Sequence, residues 1–352
     1  MRELLIISNE QFGYHTDSYK YCQYLRNEYD ITYLCFSKGQ EHILMEGISV
    51  VYVPWKSRKL IRSVAFISKA LRCMLQCKGV TFIVYFNGFS VLHLLLPWKK
   101  AILDIRTLSV SPHKLKRRLE DSFLKFTAKT FSYVTVISKG VIKKLNISPS
   151  KAFLLPLGAD VISDKKKNFD SLRLLYVGTL TGRKILDTVK GFHAFHQNNL
   201  TGISLSYDIV GDGEEKKQIE QYVKENGLDN VTVHGYIPHH GLTSLFDTCN
   251  IGVSFVPMTE YYDDQPATKT FEYVFSGLYT IATNTKSNRE VISAENGILI
   301  DDSLLSFRNA LQHIAKVLPE LNDKQIRDSL LSYSWKNIVD HCLDPVLKKA
   351  CN

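Results

Sequence analysis

Between two strand-like segments the sequence reads Asp264-Gln-Pro-Ala-Thr-Lys-Thr-Phe-Glu272-Tyr-Val-Phe-Ser-Gly277. A proline after polar residues favours a loop that opens a helix, and a glycine favours the helix end, so a helix is predicted over residues 267–276. Asp264 precedes this helix and Glu272 lies inside it, so both carboxylates can reach one ligand. The unpaired N–H groups of the first turn suit a phosphate or a sugar. Taken alone, Glu272 is equally well an ordinary helix glutamate.

An upstream loop has the features of a phosphate site. A buried strand ends at Gly178, and adjacent cations, Arg183 and Lys184, precede a second predicted helix. Glycine allows close backbone approach, and cations at a helix N-terminus suit a diphosphate. A plain strand-to-helix turn with two surface cations fits the same residues.

A second glycine pair, Gly211-Asp-Gly213, begins like a dinucleotide-binding fingerprint. Lys216 stands where the third glycine belongs, and no convincing acidic residue ends a following strand. The pattern argues against a nicotinamide site.

Short apolar runs alternate with helical stretches, which is typical of parallel sheets covered by helices. A first set comprises Leu4–Ser8, Ile31–Phe36, Val50–Val53, Thr81–Phe86, Ala101–Ile105 and Val134–Ile137. A second set comprises Leu172–Val177, Ser204–Val210, Val231–His234, Ile251–Val256 and Thr280–Thr283. The polar segment 160–170 reads as a linker. We predict an α/β protein with two doubly wound, Rossmann-like domains that face a cleft, where open α/β sheets bind ligands.

Five segments carry a family resemblance. They are Tyr176-Val-Gly178 with Arg183-Lys184, Ile209–Gly213, Val231–Ile237 with Leu245–Pro257, Asp264–Glu272, and Ser334-Trp335. In this order they resemble family 4 glycosyltransferases of the GT-B fold, the "glycosyl transferases group 1" type, over about residues 172–335. Asp264 to Glu272 is similar to the family's E-x7-E segment.

The resemblance implies metal-independent transfer from a nucleotide sugar, with retention at the anomeric carbon. It implies an acceptor-binding domain over residues 1–165 and a donor-binding domain over residues 166–335. Residues 336–352 are expected to form a helix that packs back on the first domain. No cofactor is expected, because the nucleotide sugar is a substrate.

The same resemblance assigns roles to the candidate catalytic residues. Arg183 and Lys184 would hold the donor diphosphate, Glu272 would hold the ribose, and Asp264 would contact the donor sugar. Asp264 stands where the family has glutamate, and the neighbouring Asp263 is an alternative. The remaining candidate donor contacts are Gly178, Gly235, Tyr236, Pro266, Ala267, Thr268 and Lys269.

The first domain resembles the family more loosely and supplies candidates for the acceptor side. Gly13 falls where the family has a glycine loop after the first strand. Tyr14, His15 and Arg106 are the candidate acceptor-binding side chains. His15 is equally well an ordinary loop histidine.

The charge is distributed unevenly. Residues 56–144 contain 19 Lys and Arg against 3 Asp and Glu, which indicates an anionic partner. A membrane surface, a phosphorylated acceptor and a nucleic acid all qualify. The stretches Lys56–Arg62 and Lys114–Arg118 have apolar neighbours, which favours an anionic membrane. They match no common nucleic-acid-binding pattern, so no nucleic acid is expected.

The overall composition is that of a globular protein. The 352 residues are 45% hydrophobic and 22% charged, which excludes disordered and fibrous classes. No signal-peptide pattern is present, and no apolar run approaches the roughly 20 residues of a membrane span. The seven cysteines include no CxxC pair and read as reduced thiols. A cytoplasmic protein is predicted, with peripheral binding to the inner face of the plasma membrane.

The predicted function is therefore that of a retaining hexosyltransferase. It would move a sugar from a UDP- or GDP-linked donor to a glycan or lipid-diphosphate-linked acceptor, in capsule, O-antigen or exopolysaccharide synthesis. Two alternatives remain: a nucleotide-sugar epimerase of the same fold, and a non-catalytic relative that binds anions or nucleic acid.

Overall fold

The chain forms two compact units. The first comprises Met1–Gly158 together with the segment from Trp335 onward, and the second comprises Ala159–Ser334. The computed structural model describes residues 1–56, 58–86, 88–109, 111, 113–198 and 202–351. Ser57, within the basic stretch 56–62, and the last residue of the predicted C-terminal helix lie outside the described residues.

Thirteen strands are present in the described ranges, and each sheet pairs its strands in parallel. They are β1 (Arg2–Ile7), β2 (Tyr29–Ser37), β3 (Ile48–Pro54), β4 (Val80–Val84), β5 (Ala101–Ile105), β6 (Tyr133–Val136), β7 (Ala152–Leu154), β8 (Leu172–Val177), β9 (Leu205–Val210), β10 (Val231–Gly235), β11 (Ile251–Ser254), β12 (Tyr279–Thr283) and β13 (Gly297–Ile300). The last strand of each sheet, β7 and β13, has only three or four residues and was not predicted.

The helices lie between the strands. They are α1 (Thr16–Leu25), α2 (Lys59–Gln76), α3 (Lys114–Lys129), α4 (Lys139–Leu145), α5 (Ile185–Gln197), α6 (Lys216–Glu225), α7 (Thr243–Thr248), α8 (Thr268–Phe275), α9 (Lys286–Arg289), α10 (Leu304–Val317), α11 (Asp323–Asp328), α12 (Trp335–Ile338) and α13 (Asp344–Cys351). Short 3-10 turns occupy Ser90–Leu95, His239–Gly241, Leu318–Glu320 and Leu331–Tyr333, and a π-helical turn, Val339–Leu343, joins α12 to α13. No helix in the described ranges is long and apolar enough to cross a bilayer.

The first unit has a seven-stranded sheet in the order β3-β2-β1-β4-β5-β6-β7. The chain moves one way from β1 to β2, and the other way from β3 to β4, β4 to β5 and β5 to β6. Because parallel crossovers are almost always right-handed, α1 lies on one face, while α2, the 3-10 turn Ser90–Leu95 and α3 lie on the other.

The C-terminal helices belong to this first unit. The Trp335 ring packs edge-on against the Tyr21 ring of α1, with centroids 6.0 Å apart. The Tyr29 hydroxyl donates a hydrogen bond to Asp344 Oδ1 at 2.7 Å. Buried side chains of α1 and β2 therefore hold the end of the chain.

The second unit has a six-stranded sheet in the order β10-β9-β8-β11-β12-β13. The chain leaves β8 towards β9 and leaves β11 towards β12, in opposite directions. These neighbouring strands therefore flank the topological switch point, where open α/β sheets bind ligands. The two sheets confirm the predicted fold of two doubly wound α/β units.

Candidate functional site

The sharpest sequence motifs of the second unit meet at its switch point. The segment after β8 leads into α5 through Gly178–Lys184, and the segment after β11 leads into α8 through residues 255–267. The two segments touch where the Arg183 guanidinium lies over the Tyr262 ring, with its carbon 4.4 Å from the ring centroid. The topology thus brings the predicted phosphate loop and the predicted carboxylates together.

Helix α8 is fixed to the sheet by polar contacts on its buried side. Thr270 Oγ1 lies 2.6 Å from Ser254 Oγ, at the end of β11. The Val177 N–H, at the end of β8, donates to Tyr273 Oη at 2.7 Å. Both bonds are buried, so the helix keeps a defined position relative to the two strand ends.

The N-terminus of α8 is open. Ala267 is the N-cap residue, in extended conformation, and its side chain makes no capping hydrogen bond. Thr268 is exposed, and Gly277 ends the helix with φ +78°. The start of this eight-residue helix therefore offers main-chain N–H groups to an anion.

Glu272 is buried and ionised within α8. Lys269, one turn earlier, donates to Glu272 Oε2, and His239 Nε2 lies 3.5 Å from Oε1. Burial raises the pKa of Glu272, but the His239 hydrogen bond and the Lys269 charge outweigh burial and leave the pKa below its usual value. The result is a fixed carboxylate with an exposed imidazole beside it.

Two adjacent carboxylates precede α8 and have different surroundings. Asp263 accepts the Lys286 main-chain N–H at 2.8 Å and its ammonium at 2.7 Å. Burial raises the pKa of Asp263, but these contacts outweigh burial and leave the pKa lowered. Asp264 is 4% exposed, and its Oδ2 lies 3.9 Å from the Lys286 ammonium. Asp263 thus holds the start of α9.

The N-terminus of α5 is already occupied by a carboxylate of the protein. Glu215 Oε1 accepts the main-chain N–H groups of Arg183 at 3.0 Å and Lys184 at 2.8 Å, and Oε2 accepts that of Leu186 at 3.3 Å. The sequence predicted a diphosphate at this helix end. In the structure Glu215 accepts these N–H groups, so a diphosphate here would meet the two cations rather than the helix end.

The side chains of the two predicted cations point to different partners. Arg183 stacks on Tyr262, whereas the Lys184 ammonium pairs with Asp302 Oδ2 at 2.9 Å. The hydrogen bond that Lys184 donates to Asp302 raises the pKa of Lys184, so the side chain stays charged. Lys184 has the left-handed backbone conformation, with φ +57°.

Glycines bring the loops at the strand ends into direct backbone contact. A Cβ on Gly211 would lie 1.8 Å from the Gly178 carbonyl oxygen, and one on Gly213 would lie 2.6 Å from the Thr181 nitrogen. Only glycine fits at either position, so the second glycine pair serves loop packing.

The predicted base-pocket residues lie at the end of β10 and just after it. Gly235 has φ +74°, and a Cβ there would lie 3.1 Å from the Lys216 ammonium. The Tyr236 side chain is largely exposed. His239, in the next turn, reaches back to Glu272. The segment therefore places an imidazole beside the buried carboxylate.

The acceptor-side candidates lie in the first unit. Gly13 follows β1 with φ +92° and packs against Ile43. The exposed Tyr14 donates from its hydroxyl to the Glu41 carbonyl at 3.2 Å. His15 caps α1, where its Nδ1 accepts the Ser18 N–H at 3.2 Å. Burial lowers the pKa of His15, which favours the neutral ring that this cap requires.

Arg106 occupies a structural position. Its guanidinium pairs with Asp17 at 2.5 Å and donates to the Leu155 carbonyl at 2.6 Å. Its side chain is 7% exposed, so the guanidinium is committed to the protein, which does not suit the predicted acceptor contact. Asp104 beside it is fully buried, and burial raises its pKa to about 7. Asp104 Oδ2 has no hydrogen-bond partner among the described residues.

No metal-binding group of three or more His, Cys, Asp or Glu side chains occurs in the part of the chain that the structure describes. The charged groups of the two segments at the switch point include Arg183, Lys184, Asp263, Asp264, Lys269 and Glu272.

Comparison with known proteins points to one class of enzyme. Residues 160–327 match the family described as "Glycosyl transferases group 1". The amylovoran biosynthesis glycosyltransferase AmsD of Erwinia amylovora is 24% identical over 341 residues, which cover 92% of this chain and 90% of AmsD.

Solved structures with the same fold are glycosyltransferases and related enzymes. Anabaena HepE in complex with UDP and glucose superimposes with a TM-score of 0.74 at 11% identity, covering 99% of this chain and all of HepE. A glycosyltransferase from Rickettsia africae gives a TM-score of 0.75 at 11% identity, covering 99% and 98%. The sucrose-phosphate synthase of Thermosynechococcus elongatus gives 0.74 at 16% identity, covering 96% of each chain.

Proposed function

We propose that this chain, whose residues 160–327 match the group 1 glycosyltransferases, transfers a hexose from a nucleotide sugar with retention. The proposed acceptor is a glycan or a lipid-diphosphate-linked saccharide of a surface polysaccharide. Similarity to AmsD, which is named for amylovoran biosynthesis, supports the acceptor class. The HepE complex with UDP supports a uridine donor, with guanosine as the alternative.

The observation that carries the proposal is the buried, ionised Glu272 at the switch point. An ionised carboxylate accepts hydrogen bonds and donates none, so it suits the two hydroxyls of a ribose. Lys269 and His239 hold the carboxylate in place before the donor arrives. Because the carboxylate is already held in place, less conformational entropy is lost when the donor binds.

The leaving nucleoside diphosphate needs positive charge. As the bond to the sugar breaks, negative charge grows on the β-phosphate oxygen. Arg183, Lys184 and the open N-terminus of α8 would stabilise this charge, which is commonly the largest catalytic contribution in such sites. Since Glu215 fills the α5 N-terminus, the main-chain contribution would come from α8 alone.

Asp264 is proposed to contact the donor sugar. It is buried one residue beyond Asp263, whose carboxylate is committed to Lys286. A carboxylate at this point can accept hydrogen bonds from sugar hydroxyls and orient the anomeric carbon. The proposed mechanism has no metal ion and no covalent enzyme nucleophile.

The direct test is calorimetric binding with UDP-, GDP- and dTDP-sugars, on the unmodified protein and on Glu272→Ala. Selective binding that Glu272→Ala abolishes is expected. The matched control is Glu220→Ala, an exposed glutamate on α6, which should bind as the parent does. Absence of binding by every nucleotide sugar would overturn the proposal.

Product analysis separates the proposed transferase from an epimerase. The bound donor is incubated alone and with lipid-linked saccharides, each with and without EDTA. Transfer that persists in EDTA, with retained anomeric configuration, is expected. Conversion of the donor sugar in the absence of acceptor would instead identify an epimerase.

A further inference from the structure

Helix α3 carries two apolar stripes on opposite sides. Its buried stripe comprises Leu124, Thr127 and Ala128. The second stripe is exposed to solvent and comprises Leu115, Leu119, Phe123 and Phe126, with 72, 64, 38 and 56% of their surfaces accessible. These positions recur at helical spacing, so they form one continuous ridge along the helix.

Helix α2 repeats this arrangement. Phe66, Ala70 and Met74 are buried against the sheet. The exposed apolar side chains, on the opposite side of the helix, are Leu60, Ile61, Val64 and Leu75. A helix that only covers a sheet needs one apolar stripe, so the second stripe on each helix is unexplained by the fold.

Both helices lie on the same face of the first unit's sheet, as the direction of the crossovers requires. The segment between β4 and β5 covers that face too, and it adds exposed Leu94, Leu95 and Trp98. We call the exposed side chains of α2, of residues 94–98 and of α3 the α2–α3 face. Of the 21 exposed large hydrophobic residues in the described ranges, 12 fall within residues 55–126, so they are concentrated rather than scattered.

Cations flank the apolar ridge. On α3 the exposed Lys114, Arg118 and Lys129 line one side of the ridge, and Lys116 lies on the other. On α2 the exposed cations are Lys59, Lys69 and Arg72. With 19 basic against 3 acidic residues between positions 56 and 144, the face is both positively charged and apolar.

We propose that the α2–α3 face lies on an anionic lipid bilayer, with its leucine and phenylalanine side chains among the acyl chains and its cations at the headgroups. Amphipathic helices with this composition bind such interfaces by combining apolar burial with charge attraction. A nucleic acid would satisfy the cations but would leave the ridge in water. The inference deepens the proposed function, because a lipid-linked acceptor would be met at the same surface.

The test is co-sedimentation of the full chain with phosphatidylcholine vesicles, with and without phosphatidylglycerol. Binding to the anionic vesicles at low salt is expected, with partial loss at high salt because exposed charges are screened. Paired Lys114→Gln and Arg118→Gln substitutions should lower the partition constant on the order of tenfold.

The apolar contribution is tested by paired Leu119→Glu and Phe123→Glu substitutions, which should abolish sedimentation with vesicles. The matched control pairs Leu305→Glu with Leu331→Glu, two exposed leucines of the second unit, and should bind vesicles normally. Thermal unfolding establishes that each variant is folded.

Failure of vesicle binding at low salt, or equal binding by the Leu119 and Phe123 variant, would overturn the membrane proposal. The proposal would also be overturned if sedimentation velocity showed the parent protein to be a dimer and this variant a monomer, because the face would then join two copies of the chain. Nucleotide-sugar binding is measured on the same preparations without lipid. If the parent protein binds a nucleotide sugar but no vesicles, only the membrane proposal is wrong. If the parent protein binds no nucleotide sugar, the proposed function is wrong.

Discussion

Glu215 Oε1 accepts the main-chain N–H of Lys184 at 2.8 Å. An acidic side chain from the loop after β9 thereby closes the N-terminus of α5 and fixes the loop that carries both predicted diphosphate ligands. The protein supplies its own anion at this helix end, whereas the N-cap residue of α8 is Ala267, whose side chain makes no capping hydrogen bond.

Replacement of Glu215 should destabilise this loop. Glu215→Ala leaves three N–H groups at the α5 terminus without their acceptor, which is expected to lower the free energy of unfolding by about 1–2 kcal/mol. Donor affinity should fall as well, because Glu215 no longer holds the main chain of Arg183 in place. Urea denaturation and donor calorimetry measure the two effects. The adjacent Glu214→Ala is the control, and equal behaviour of the two variants would contradict the assignment.

The neighbouring carboxylates before α8 should separate stability from activity. Asp263→Asn weakens the contacts with Lys286 and is expected to cost about 1 kcal/mol of stability, with small loss of turnover. Asp264→Asn should lower kcat on the order of tenfold or more in protein that remains folded. Thermal melts measure the stability of each variant, and steady-state kinetics measure its turnover. The reverse pattern would identify Asp263 as the sugar contact.

His239 should influence donor binding through Glu272. Removal of His239 takes away a hydrogen bond that holds down the pKa of Glu272, so His239→Ala should raise that pKa. Glu272 binds the donor as an ionised carboxylate, and acidification protonates it. Because the pKa of Glu272 is higher in the variant, donor affinity should fall at a higher pH in the variant than in the parent. A loss on the order of threefold to tenfold is expected at mildly acidic pH. His240→Ala is the matched control, and identical pH profiles for the two would refute the coupling.

Asp104 should make stability decline as pH rises. Burial raises its pKa to about 7 in the fold, while an unfolded aspartate titrates near 4. Between these values the folded chain binds more protons than the unfolded chain, so the free energy of unfolding falls with rising pH, by on the order of 2–4 kcal/mol. Asp104→Asn should abolish this slope and be the more stable form at pH 8. Urea denaturation across the range tests it, and a slope unchanged by the substitution would disprove the assignment.

The sequence predicted the fold well because its signals are local. Apolar runs marked eleven of the thirteen strands, and the turn chemistry around Pro266 and Gly277 predicted α8 to within one residue at each end. The missed strands, β7 and β13, are too short for an apolar run to reveal them, and their partners on the sheet supply most of their order.

The candidate site was predicted less completely, because its supporting contacts join residues far apart in the sequence. Glu272 and Asp264 were proposed as site residues from their spacing, but the partners of Arg183 and Glu272 were not predicted. Glu215 and His239 follow no motif, and each reaches its partner through packing of separate loops. The burial of Arg106 was not foreseen for the same reason, since its pairing with Asp17 depends on the three-dimensional arrangement.

The second unit begins and ends at one point. Ala159 pairs with Ser334 in an isolated parallel bridge, and the Ala159 N–H donates to the Tyr333 carbonyl at 3.0 Å. In the first unit, Gly158 packs against Trp335, so closely that a Cβ on the glycine would lie 2.6 Å from the indole ring. Residues 159–334 therefore form one continuous insertion in the first unit, and the two ends of the insertion lie side by side. The corresponding unit of another enzyme could be exchanged there with one pair of junctions, without cutting any strand or helix.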